Sequence, residues 1–277
     1  MPEAGRALPD LPLSATGKTA EEVARACAQK AGRVIMAAFI YGTGGERGVK
    51  GRGNFVTETD LSAEAVTLDI LREEYPGHAV LSEETASDVR GDGWMWVVDP
   101  LDGTHNFSQG IPHFAFNIAL CFEREPLLGL TFPPATGEEY FAQAGRGLTV
   151  RGKPARVSNA QRVKDSMVAI GLGYDDLKAQ RILELATDLW PMEGLRDMGS
   201  AALGMAYAAS GRFDVFIHHS LYPWDVAAGI VQVREGGGAV IDRDGGPVGI
   251  DSAGAIAGAP EAVADMLSLV RDRPWRE

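Results

Sequence analysis

A chain of 277 residues and 29.5 kDa is long enough to bury a sizeable core, as one large domain or two intimate ones. Apolar residues at 45% and charged residues at 23% are ordinary globular usage, which excludes a disordered chain, and 34 glycines without a three-residue period exclude collagen. A net charge of −12 argues against a global basic surface for nucleic acid or anionic lipid, and the two distant cysteines, Cys27 and Cys121, exclude a disulfide scaffold or a cysteine zinc site.

Residues 1–17 show little periodicity and read as a mobile tail without an apolar leader. The longest apolar stretch, Val34–Tyr41, is far short of a membrane span, and the two distant cysteines fit a reducing cytoplasm as the expected compartment. Thr19 and Glu22 form a capping box for a helix whose apolar positions are Val23, Cys27, Ala31, Ile35 and Ala38, closed by Gly42. The glycine-rich stretch 42–53 reads as a loop or hairpin. A second helix is predicted from about Thr59 to Tyr75, with Leu61, Ala65, Leu68 and Leu71 as its apolar phase. A strand-rich block follows, over 78–82, 94–98, 114–121, 127–132 and 139–142. Beyond residue 155 strands (167–170, 213–218, 239–241) alternate with helices (177–190, 200–210, 225–235, 260–270). The expected organisation is a subdomain over 18–155 and another over 156–277, built as mixed sheets layered with helices.

Common motifs are absent. Gly17-Lys18-Thr19 resembles the end of a phosphate loop, but Pro12 stands where its first glycine is required. There is no dinucleotide GxGxxG, no GxSxG elbow and no HExxH. His218-His219 reads as a surface or strand-end pair.

The informative segment runs from Trp96 to Phe107. An apolar strand enters Asp99, Pro100 breaks its ladder, and Asp102, Gly103 and Thr104 follow. Two carboxylates at a strand end can converge on one cation, with the Leu101 carbonyl beside them. Free amides at Gly103 and Thr104 suit an anionic oxygen. Hard oxygen ligands point to magnesium, and a cation site beside an anion site suits phosphoryl transfer. An ordinary Asx turn explains the same spacing. Glu83 ends another short apolar strand. Asp60 and Asp225 open helices, where each also reads as an N-cap.

These residues resemble the signatures of the inositol monophosphatase family of magnesium-dependent, lithium-sensitive phosphatases. Trp96–Phe107 matches the first signature, Trp224–Gly229 the second, and Val56–Asp60 and Ser82–Thr85 two smaller ones, in order. The resemblance implies the α/β/α/β/α sandwich of the inositol monophosphatase and fructose-1,6-bisphosphatase type, as a homodimer. It implies magnesium, two to three ions, on Glu83, Asp99, Leu101, Asp102 and Asp225. Asp60 and Thr104 would orient a water, aided by Glu83, for in-line attack on a small phosphate monoester. Asp102, Gly103, Thr104, Arg196, Ala201, His218 and Asp225 would border the substrate.

One position departs from the pattern. Inositol-cleaving members end the strand at 213–218 in a glutamate, and here that residue is His218. Sugar or polyol phosphates are the favoured substrates. Histidinol phosphate and nucleotide-directed activity (3′-phosphoadenosine 5′-phosphate or NADP) are the alternatives. A non-catalytic metal-binding protein on this scaffold is disfavoured because no ligand is missing. No nucleic-acid or membrane partner is expected.

Overall fold

In a computed structural model of the chain, residues 9–42, 48–51, 54–85 and 93–276 are described. Helix α1 (Ala20–Tyr41) opens on the predicted capping box: the Thr19 hydroxyl accepts the Glu22 N–H at 3.2 Å, and Glu22 accepts the Thr19 N–H at 2.8 Å. Strands β1 (Gly48–Gly51) and β2 (Asn54–Val56) form the hairpin expected from the glycine-rich stretch. Helix α2 (Glu58–Glu74) buries Ala63, Thr67, Leu68 and Leu71, whereas Leu61 and Ala65 are exposed. The expected apolar phase is therefore rotated. Its inner face carries the carboxylates Asp60, Glu64 and Glu74, which hydropathy alone would turn outward.

Glu74 also corrects the extent of the expected tail. It accepts from Ser14 at 2.7 Å and from Lys18, and the Tyr75 hydroxyl donates to the Pro12 carbonyl at 3.0 Å. Residues 12–18 are thus docked on the end of α2, and residues 1–8 lie outside the described residues.

A seven-stranded sheet comprises, in spatial order, β3 (Ala79–Ser82), β4 (Trp94–Asp102), β5 (Ala115–Phe122), β6 (Glu125–Phe132), β7 (Tyr140–Gln143), β8 (Gly147–Val150) and β9 (Lys153–Ala155). Only the β3–β4 pair is parallel. The short helix α3 (Thr104–Ser108) follows β4 directly. The remaining elements are β10 (Met167–Gly171), α4 (Asp176–Asp188), β11 (Gly194–Asp197), α5 (Ala201–Ala209), β12 (Val215–His218), α6 (Pro223–Glu235), β13 (Ala239–Asp242), β14 (Ala255–Gly258) and α7 (Pro260–Val270). Their five strands form a second sheet in the order β11-β10-β12-β14-β13, with β11, β10 and β12 parallel.

Helices α1 and α2 cover one face of the larger sheet, α5 and α6 fill the space between the sheets, and α4 and α7 cover the outer face of the smaller one. This is the expected α/β/α/β/α sandwich. Strands β8, β9, β11 and β14 were not anticipated. They are three or four residues long, and Lys153-Pro154-Ala155 and Ala255-Ile256-Ala257-Gly258 carry few of the β-branched or aromatic residues that mark strands.

The central helix α6 lies unusually close to β6. A Cβ on Gly129 would stand 2.5 Å from the Ala228 carbonyl oxygen, so only glycine lets the two backbones meet. Buried polar groups tie its C-terminal half to the sheet. Asn117 on β5 accepts from Thr131 at 2.7 Å, and the Gln232 side chain donates to Thr131 at 2.9 Å and to the Tyr140 carbonyl at 3.1 Å.

Candidate active site

Strand β4 is apolar and buried from Met95 to Val98, and its register against β5 then slips between Asp99 and Asp102. Regular alternation sends residues three apart to opposite faces. A slip around Pro100, which cannot donate to the ladder, lets both carboxylates reach one point. The Leu101 N–H donates to Asp99 at 3.0 Å, so the Asx turn is present as well. Gly103 has φ 86°, and a Cβ there would lie 3.1 Å from the His113 carbonyl oxygen. A glycine is needed to turn the chain into α3.

Asp225 arrives from the first turn of α6. One oxygen each from Asp99, Asp102 and Asp225 lie within 4.8 Å of one another. Glu83, in the turn after β3, sits against Asp99 and lines the same cleft of about 200 Å³, together with Leu101 and Thr104. That turn is pinned twice. The Glu83 N–H donates to the Val98 carbonyl at 3.2 Å, and buried Glu64 on α2 accepts the Thr85 N–H at 3.1 Å.

Among the described residues no Lys or Arg lines this cleft. Burial, then repulsion from Glu83, Asp102 and Asp225, holds the Asp99 carboxyl well above the usual range. Burial and Asp102 do the same to Asp225. Burial raises Asp102 to about 6, against the opposing pull of the Ser200 hydroxyl and the Ala201 and Ala202 amides.

Beside the cluster the Thr104 hydroxyl lies 3.0 Å from Asp60 and 3.0 Å from the Leu101 carbonyl, and its single proton serves one of them at a time. The other Asp60 oxygen accepts the Thr57 N–H at 2.9 Å. Three of the carboxylates anchor helix starts. Asp60 and Asp225 occupy the third helical position of α2 and α6, not the expected cap position; Asp225 accepts the Tyr222 N–H at 2.7 Å. Asp102 holds the start of α5 from outside, accepting the Ala201 and Ala202 N–H groups at 3.2 Å each and the Ser200 hydroxyl.

A second cavity of about 390 Å³ adjoins the cleft and shares Asp102, Gly103, Tyr174, Tyr222 and Asp225 with it. His218 lines it from the end of β12. The pair His218-His219 does end a strand, but both rings are buried, not on the surface. The His218 Nδ1 accepts the Ser220 N–H at 3.1 Å, and burial pushes its pKa down to about 3, leaving a neutral ring. Ala201 borders the cavity, whereas Arg196 does not: its exposed guanidinium donates to the Leu195 carbonyl at 2.8 Å. Its neighbour Asp197 faces the cavity instead. Tyr174 was missed by sequence reasoning. Asp197 and Ser200 lie in the segment 195–202, whose resemblance to the family's substrate-bordering Arg-x-x-Gly-Ser/Thr-Ala-Ala pattern pointed to Arg196 and Ala201 instead.

The sequence profile of the inositol monophosphatase family matches residues 18–273, and the chain belongs to that family. It is 36% identical over 253 residues to the Nus factor SuhB of Escherichia coli K12, covering 90% of this chain and 95% of that one. It is also 36% identical over 250 residues to the inositol-1-monophosphatase of Rhizobium meliloti, covering 88% and 93%. The crystal structure of extragenic suppressor protein suhB from Bartonella henselae superposes with a TM-score of 0.85 at 32% identity, covering 91% of this chain and 98% of that one.

Proposed function

We propose that the chain hydrolyses a small phosphate monoester, of the sugar or polyol phosphate kind, by attack of water assisted by magnesium. The observation that carries this reading is the convergence of Asp99, Asp102 and Asp225 beside the Asp60–Thr104 pair. The donor set fits hard divalent cations: it is all oxygen, buried at Asp99, Leu101 and Asp102 and half-buried at Glu83 and Asp225, and without a described cationic side chain to offset its charge. Glu83, Asp99, the Leu101 carbonyl, Asp102 and Asp225 would hold two to three ions. Bound there, such ions supply the charge that acidifies water and offsets a phosphoryl group.

The protein's own residues account for the rest. Asp60, held by Thr57, accepts from Thr104 and leaves the Thr104 oxygen free to receive a hydrogen bond from the attacking water. The Gly103 and Thr104 amides meet the phosphate. The larger cavity takes the leaving alcohol, with His218 on its wall. No covalent nucleophile is required. A nucleotide-directed reading draws support from one feature, the Tyr222–Trp224 stack at the cleft, with centroids 5.1 Å apart and planes at 11°, a surface suited to a nucleobase.

Family membership supports a homodimer in the cytoplasm. The net charge of −12 supports the reading that no nucleic acid is held on a global basic face. Among the described residues no helix is long and apolar enough to cross a membrane. The deciding experiment is phosphate release from inositol 1-phosphate, other polyol phosphates, histidinol phosphate and nucleotides, with and without magnesium. Magnesium-dependent release led by a polyol ester is expected. Release from none, by folded protein with magnesium bound, would sink the reading.

A further inference from the structure

The leaving-group cavity is closed by the carboxyl ends of three parallel strands, β11, β10 and β12. Asp197 pairs with Ile170 and His218 with Gly171, so the two side chains end adjacent strands on either side of β10. The His218 ring fills the space that a side chain at Gly171 would need; a Cβ there would come within 1.8 Å of it. The ring is therefore fixed against β10. Asp197, exposed at the end of β11, also lines the cavity.

Asp197 is little engaged. Its carboxylate accepts one long hydrogen bond, from the Gly199 N–H at 3.3 Å. Among the described residues no Lys or Arg pairs with it, and none lines the cavity. Partial burial raises its pKa, and no positive neighbour opposes this. An acceptor of this kind gains from a donor and loses against an anion.

We propose that Asp197 determines specificity: it accepts a hydrogen bond from an O–H or N–H group on the leaving alcohol and turns away alcohols that carry a second anionic group. This rests on the phosphatase reading above. It selects singly phosphorylated polyols or amino alcohols and disfavours bisphosphates, among them the phosphoadenosine and NADP substrates of the nucleotide alternative.

Glycerol 2-phosphate and 2-phosphoglycerate test it, because they share a skeleton and differ by one hydroxymethyl-to-carboxylate exchange. Their kcat/KM ratio is measured with magnesium at alkaline pH, for the unaltered protein, Asp197→Asn and Asp197→Ser. Intrinsic leaving-group reactivity cancels between proteins. The unaltered protein should prefer glycerol 2-phosphate, and both substitutions should shift the ratio toward 2-phosphoglycerate by about tenfold, the scale of repulsion between two charges a few ångströms apart in water, since Asp197 is exposed. A merely structural role would lower both esters together and leave the ratio fixed. An unchanged ratio with good turnover would overturn the role of Asp197 alone. Silence toward both esters, with release from other monoesters, would overturn it too, since a donor-bearing, singly phosphorylated alcohol should be accepted. Release from no ester at all would remove this role together with the phosphatase reading.

Discussion

The side-chain amide of Asn117 donates to the main-chain carbonyl of Trp224 at 2.7 Å, and the same residue stands opposite Asp99 in the β4–β5 ladder. One buried asparagine thus touches both arms of the carboxylate cluster: the strand that carries Asp99 and the helical turn that presents Asp225. Replacing it with alanine leaves the Trp224 carbonyl and the Thr131 hydroxyl short of a partner. Asn117→Ala should cost about 1–3 kcal/mol of stability and weaken magnesium binding, without touching an ion. Thermal melts and calorimetric titration check this; unchanged magnesium affinity would show that α6 holds its start without Asn117.

The raised carboxyls make metal-free stability depend on pH in a definite direction. A carboxyl with a higher pKa in the folded state favours folding when protonated. Its contribution is complete below the unfolded value near 4 and is lost as pH rises through the folded value, about 6 for Asp102. For that residue alone the loss between pH 4 and neutral pH is roughly 3 kcal/mol. Chelated protein should therefore melt lower at pH 8 than at pH 5, and magnesium should raise the melting point more at pH 8. Equal magnesium effects at the two pH values would show that the cluster does not bind the ion.

Asp99→Asn and Asp225→Asn should abolish magnesium-dependent turnover. Each removes one charge from a repelling set while keeping an oxygen acceptor, so metal-free protein should melt no lower than the parent. A folded variant with full turnover would displace that residue from the site.

Thr104→Ala should lower kcat by about 100-fold, the range of a positioned proton acceptor. Magnesium affinity should hold, because Asp60 and Thr104 lie beside the carboxylate triad and not within it. Thr104→Ser keeps the hydroxyl and should recover most of the rate. If serine is as poor as alanine, the methyl group rather than the hydroxyl matters.

The arrangement was legible where backbone chemistry and side-chain chemistry coincide. Asp99-Pro100-Leu101-Asp102 announced a broken ladder with two acids, and the slip in β4 is that break. The cap and ligand readings of Asp60 and Asp225 looked like rivals, yet both carboxylates serve helix starts while facing the site. What stayed hidden depends on tertiary placement. Tyr174 and Asp197 reach the cavity only because β10 and β11 lie side by side; the spacing over 196–202 marked the neighbourhood of Asp197 but not the residue, and nothing marked Tyr174. The inner face of α2 misled for a related reason, since Glu64 and Glu74 are buried by partners distant in sequence.

Asp102 and Asp225 lie roughly 120 residues apart along the chain. Whatever they grip together acts as a clasp between the larger sheet and the helix α6 laid on it, closing a long loop of the unfolded polypeptide much as a covalent cross-link would. Lifting α6 off the larger sheet then requires releasing the clasp first. Amide hydrogens of α5 and α6, which lie between the sheets, should exchange more slowly in magnesium than in chelator, while those of the outer helices α4 and α7 change far less.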